Sequence, residues 1–274
     1  MRQTITPATR PMAAKRPNGR YLAVAAGKGG VGTATVAALI ASCAAATGRD
    51  VLLVDHDENF GTLHHVFGVE RTRTISDLRG GRFDPVDLLV PIRPGLTLVP
   101  GGTQADAELM SGAERRLLSR RLAGLYSSFD GVILHVGARR EAIEEACDAG
   151  VDTVLAVTTP DRVALATTYA LLKLLAMRSA PPAVEIVANR HDDIMTAESL
   201  RHLRAAATQF LRIDVALAGS IPDEATIAAL LPNGPQVLRG QPSAALAAGE
   251  ALAERVLTGA HAAAALHRQP GFSA

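Results

Sequence analysis

The chain has 274 residues, enough for one large α/β domain or two modest ones, and a single well-buried domain is expected. A formal charge of +1 excludes a global field that would draw the molecule onto nucleic acid or an anionic membrane, so any such contact must be a local patch. Hydrophobic residues make up 48% of the chain but aromatic residues only 3%, with no Trp, so the core must be built from Ala, Leu, Val and Ile.

In chain order, residues 1–20 carry three prolines and five basic residues with no acid and no apolar secretory core, and read as a disordered, solvated basic arm. YLAVAA (21–26) reads as a buried strand that runs into GKGGVGTAT (27–35) and then a helix over 34–47. VLLVD (51–55), LTLVP (96–100), GVILH (131–135), TVLAVTT (153–159), VEIVAN (184–189) and VALAGS (215–220) read as further strands. Helical patterns fall between them at 113–127, 161–177, 196–211 and 243–257. The Gly/Pro-rich passages 79–85, 91–102 and 232–242 are sized for loops within one domain. The tail, 259–274, is rich in Ala.

This repeated βαβ rhythm predicts a doubly wound, mostly parallel sheet with helices on both faces, occupying 21–258. Cys43 and Cys147 fall in apolar helical stretches with no second Cys nearby, as expected of reduced thiols in a cytosolic protein. No run approaches the roughly 18 apolar residues of a membrane span.

Ligands of such sheets sit beyond the carboxyl ends of the strands. The first of those ends is the glycine loop. Strand, glycine loop, helix is the context in which backbone N–H groups turn inward and the helix N-terminus adds partial positive charge, so this loop reads as a phosphate cradle. Asp55 and Asp57 follow the second strand, and His135 ends the strand at 131–135.

The loop resembles the deviant phosphate loop of the MinD/ParA ATPases. Lys28 matches the signature lysine near its start, Gly27, Gly29, Gly30 and Gly32 match its glycines, and Val31 completes the cradle. In the family that lysine acts across a dimer on the partner's nucleotide. The family's second lysine, which reaches the β and γ phosphates, is replaced by Thr33, and the hydroxyl residue that holds magnesium is replaced by Ala34. Thr35 cannot step in, because one residue along a helix turns a side chain by about 100°.

Asp55 and Asp57 match the Asp-x-Asp that ends the second strand, and the second acid would orient the attacking water. The resemblance places Asp57 as a vestigial catalytic acid. FDGVILHVGAR (129–139) resembles the switch segment, with His135 in place of its acid, Val136 in place of its hydroxyl and Arg139 in place of a glycine. An imidazole is a poor partner for Mg²⁺, which prefers oxygen and water. Asn189, in VANR, matches the residue that recognises adenine.

Thr33 bears on phosphate charge, while Ala34 and His135 bear on magnesium. The resemblance therefore implies a pseudo-ATPase in which ATP or ADP binds weakly and Mg²⁺ is not well held. Three other readings stand beside it. One is a slow but active ATPase resting on Lys28 and Asp57. Another is a metal site formed by Asp55, His56, Asp57 and His135, with His64 and His65 nearby. The third is a DNA-binding segregation factor using Arg115, Arg116, Arg120 and Arg121, which cluster at helical spacing.

Residues 74–102 and 154–175 resemble the flagellar-number regulators FlhG (FleN) in particular. That likeness implies a cytoplasmic regulator of flagellar assembly or placement, acting through protein partners, flagellar assembly components among them, and able to form a homodimer. The partner surface is expected near 58–70 and 139–148. The branch's N-terminal activator motif is missing from MRQTITPATR, and GAHAAAALHRQ (259–269) has too little apolar area to hold a membrane.

Overall fold

A computed structural model of the chain describes residues 19–57, 61–70, 73–102, 111–191, 194–224 and 243–258. The expected basic arm, apart from Gly19 and Arg20, the Ala-rich tail and the loop at 232–242 lie outside the described residues.

Eight strands form one sheet: β1 (Arg20–Ala26), β2 (Val51–Asp55), β3 (Val90–Arg93), β4 (Leu96–Val99), β5 (Gly131–Gly137), β6 (Thr153–Thr158), β7 (Ala183–His191) and β8 (Ala216–Pro222). Their spatial order is β3-β4-β2-β5-β1-β6-β7-β8. Every described pairing is parallel except β3 with β4. β2 and β6 are buried at every position and β5 at all but its last, Gly137, which is why they read as continuous apolar runs rather than alternating ones.

The passage 91–102 is more ordered than the loop expected there. Its first part is the edge strand β3, which turns back at Gly95 (φ 79°) to pair with β4. β3 contains Pro91 and Arg93, both of which an edge position tolerates.

The helices are α1 (Thr33–Ala46), α2 (Leu63–Val66), α3 (Gly112–Tyr126), α4 (Arg140–Asp148), α5 (Arg162–Ala176), α6 (Ile194–Ala206) and α7 (Ala244–Thr258), with short 3₁₀ turns at Ile75–Gly81 and Pro85–Leu88. α6 widens into a π turn over Ala207–Leu211. α1 and α7 pack with Leu63 on one face of the sheet, while α3, α4, α5 and α6 cover the other. Ten consecutive residues of α1, Val36 to Ala45, are buried, because its alanines let the sheet and α7 close on it from different sides. Gly249 of α7 makes that approach possible: a Cβ there would lie 2.6 Å from Leu39 Cγ.

The site follows from this layout. β1 lies in the middle of the sheet between β5 and β6, so the loop leaving its carboxyl end opens beside the ends of both neighbours.

Candidate nucleotide site

Residues 27–32 carry the chain from β1 into α1. Gly30 and Gly32 hold φ values of 83° and 91°, the left-handed region that glycine favours. Gly32 is also the residue before α1, and no side chain caps that helix, so its first amides remain free of side-chain partners. A Cβ on Gly29 or Gly30 would meet nothing within 4 Å, so the loop opens onto space that a phosphate can take.

Strand register brings the acids and His135 to this loop. Asp55 of β2 pairs with His135 of β5, and parallel neighbours in register turn their side chains to the same face. That face carries α1. His135 Nδ1 lies 3.0 Å from Asp55 Oδ1, and His135 Nε2 lies 3.1 Å from Thr33 Oγ1. The other Asp55 oxygen accepts hydrogen bonds from the amides of Thr62 (2.7 Å) and Leu63 (2.9 Å). A continuous chain thus runs from the start of α1, through His135 and Asp55, to the start of α2.

Of the replaced positions, the structure brings Thr33 and His135 into direct contact, and Ala34 follows Thr33 in the first turn of α1. Thr35 is half-buried in that same turn. Ala34 has no oxygen to offer a cation, and both nitrogens of His135 are already engaged. The cradle therefore fits phosphate, whereas this donor set does not fit Mg²⁺.

Lys28 does not reach into its own cradle. Its ammonium pairs with Asp161 at 3.4 Å, and both side chains are partly exposed. Asp161 also caps α5 by accepting from the Ala164 amide (2.9 Å), and it accepts from the Thr159 hydroxyl (2.6 Å). The Thr159 hydroxyl, the Ala164 amide and, last, Lys28 lower the pKa of its carboxyl to about 2. The sequence reading missed Asp161, although an Asp before a helical run is an N-cap signal.

Asn189 is buried, and its Nδ2 donates to the carbonyl of Val31 (2.8 Å). Its side-chain nitrogen ties β7 to the glycine loop. Asp57 stands two residues beyond β2, where its carbonyl accepts from the Gly102 amide at 3.0 Å.

The histidines do not converge. His56 turns to the opposite face from Asp55, is fully buried and bonds Ser119 Oγ of α3 through Nε2 (3.1 Å). His64 and His65 lie against each other with ring centroids 3.8 Å apart. Among the described residues no group of three or more His, Cys, Asp or Glu side chains is placed to hold a metal ion. The arginines of α3 are divided as well. Arg121 donates to the carbonyls of Leu78 and Phe83, Arg115 is half-buried, and only Arg116 and Arg120 of the four are exposed. A cavity of about 440 Å³ lies between α4 and α5 beside Arg140, Lys173 and Met177.

A glycine loop between the central strand of a doubly wound sheet and a buried helix, with a lysine at its second position, defines a phosphate-loop NTPase fold of the MinD/ParA type. The family model described as an AAA domain (AAA_31) matches residues 19–179, and the chain belongs to that family. Over 57% of its length it is 32% identical to the flagellum site-determining protein YlxH of Helicobacter pylori, spanning 54% of that relative. It is 26% identical to the antiactivator FleN of Pseudomonas aeruginosa over 76% of this chain and 75% of that one. In fold it matches the cell division ATPase MinD of Pyrococcus furiosus at a TM-score of 0.72 and 24% identity, covering 88% of this chain and all of that one. A MinD from Aquifex aeolicus, solved as a MinC:MinD complex, matches at a TM-score of 0.70 and 20% identity over 87% of this chain and 96% of its own. No helix among the described residues is long and apolar enough to cross a membrane.

Proposed function

We propose that this chain is a MinD/FlhG-like regulator of flagellar assembly or placement that no longer turns over ATP and acts through protein contacts. The observation that carries this reading is the 3.1 Å contact between Thr33 and His135. Two positions that in the resembling family serve phosphate charge and magnesium are here spent on each other. Ala34 beside them supplies no oxygen. Triphosphate cleavage depends on electrostatic stabilisation of the phosphoryl oxygens, and a neutral hydroxyl gives about half the strength of a charge-assisted bond.

The flagellar role is supported by the names of YlxH and FleN among the relatives. ATP or ADP binds weakly, through the backbone cradle and without Mg²⁺ dependence. Asp55 pins the start of α2 through the Thr62 and Leu63 amides, which holds that part of the partner surface expected near 58–70 and 139–148 in one arrangement. The protein works in the cytoplasm, as a homodimer, against flagellar assembly components.

Steady-state phosphate release tests the reading, with the unaltered protein compared with one carrying Thr33→Lys, Ala34→Thr and His135→Asp. The unaltered protein is expected to release none above background and the triple variant to gain turnover. Turnover in the unaltered protein that collapses on Asp57→Ala would make it a slow ATPase instead. Calorimetric titration with ATP and ADP, with and without Mg²⁺, is expected to give weak, metal-independent heats.

A further inference from the structure

A helix lying on a sheet needs one apolar face, and α5 has two. Ala164, Thr168, Leu171, Leu172 and Leu175 are its buried side. On the outer side Val163, Ala166, Ala170, Lys173 and the C-cap Met177 are all exposed, at intervals of three, four, three and four residues. Those intervals are the seam of a helix pair, and every side chain in this one except Lys173 is apolar. Val163 and Met177, at the two ends, are 61% and 77% exposed. Beside the last two turns lies the cavity of about 440 Å³, lined by Ala170, Leu174 and Met177 and by the charged side chains of Arg140, Glu144 and Arg178.

The order of side chains along the seam identifies its occupant. Outward from Ala170, Val163 and Met177 stand seven residues to either side, Ala166 and Leu174 four, and Thr167 and Lys173 three. A copy of α5 laid antiparallel across a two-fold axis at Ala170 therefore sets Val163 against the partner's Met177 at both ends. Ala166 and Ala170, at the centre, let the two helix axes approach. The partner's Val163 and Ala166 then fill the cavity beside Met177 and Leu174. Charge fits the same axis. The partner's Arg162 comes over the end of α5, where Arg178 is already paired with Asp148 and where Glu144 and Asp148 of α4 present carboxylates. Lys173 falls opposite the partner's Thr167, with its stem along the seam and its ammonium in water. A face that carries both signs suits a copy of itself, and offers little to an anionic membrane or a nucleic acid.

We propose that the outer face of α5 is a self-association surface, on which a second copy of this chain docks as an antiparallel helix pair with its two-fold axis at Ala170. The contact gives the homodimer of the proposed function its face, and it rests on that reading in the matter of self-association alone. It forms without nucleotide, because every residue of the seam belongs to α5 and its cap. A helix of 15 residues spans about 22 Å, too little area for a permanent dimer, so the copies join and part with concentration.

Sedimentation equilibrium of the full chain across the micromolar range tests this, with and without ATP and Mg²⁺. The expected result is a reversible monomer–dimer equilibrium whose constant is the same in both conditions. Val163→Asp and Met177→Lys, made singly, each weaken it by about 10-fold or more. Both sites are exposed, and an acid in the first turn and a base at the last suit the helix dipole, so the thermal melts stay at the parent value. Combined in one chain, the two changes set opposite charges against each other at both ends of the pair and recover the association. Ala170→Cys gives a disulfide-linked dimer under mild oxidation that the parent, with only Cys43 and Cys147, does not. A chain monomeric at every concentration overturns the proposal, as does one that is monomeric but binds anionic vesicles through Met177. So does a dimer indifferent to the single changes, a dimer that forms only with ATP, or a combined variant that stays as weak as its parents. Phosphate release bears on turnover alone, so the failure of this contact and the failure of the pseudo-ATPase reading are told apart.

Discussion

Gly27 and Gly29 stand two residues apart in one loop and answer to different constraints. A Cβ on Gly27 would lie 2.6 Å from the Thr168 amide nitrogen and closer still to the Thr167 carbonyl, all backbone atoms of α5 that cannot rotate aside. One on Gly29 would meet nothing within 4 Å. Gly27→Ala is therefore expected to cost about 1–3 kcal/mol by forcing β1 and α5 apart, and Gly29→Ala to stay within about 0.5 kcal/mol. Urea denaturation of the two variants checks the contrast, and equal midpoints would mean that the loop yields. The sequence displays both glycines equally, so their spacing located the cradle but could not rank them. The same limit applies to Thr33 and His135, which are 102 residues apart. The family pattern grouped them, but their bond depends on the β1–β5 register, which is not written locally in the sequence. For His56 the signal was present and misread. Consecutive residues at a strand end face opposite ways, so Asp55 and His56 could not share a ligand.

At the scale of elements, the long apolar strands and amphipathic helices were legible because each one buries a continuous face, and their period survives any register. β3 was not, being four residues long with Pro91 and Arg93 in it and only a turn linking it to β4. The start of α5 was half legible. Its boundary could be read, but the second task of its cap could not. Asp161 both closes the first turn of α5 through Ala164 and holds Lys28 of the glycine loop. Asp161→Ala is expected to lower stability by about 1 kcal/mol through the lost cap. It also frees the Lys28 ammonium from its intrachain partner. Asp161→Asn keeps an N-cap acceptor but weakens the ion pair, so it should recover most of the stability. In chemical denaturation the Asn variant is expected to fall between the parent and the Ala variant. An Ala variant as stable as the parent would show that α5 is fixed by its packing alone.

For the molecule as a whole, the two faces of the sheet are filled by separate apolar clusters, and His56 is a polar group sealed into one of those interfaces, between the sheet and α3. Burial pushes its pKa down from an ordinary 6.5 to about 4, and the Arg139 charge adds to the shift against smaller opposing contributions from a backbone hydrogen bond at His56 itself and from Asp55 and Asp57. The ring is buried, so a second proton on it would place a charge out of water. The linkage has a definite sign. Between the two pKa values the unfolded chain binds a proton at His56 that the folded chain refuses, so stability falls as pH drops from about 6.5 and levels off below about 4. At most the loss is about 3 kcal/mol, since one pKa unit corresponds to about 1.4 kcal/mol. His56→Gln retains an amide that can bond Ser119 but cannot titrate across this range. Its deficit relative to the parent should shrink steadily as urea midpoints are taken from about pH 7 down to about pH 4.5. Parent and variant curves that stay parallel would place the acid sensitivity elsewhere, because no other change in the variant carries a proton in that window.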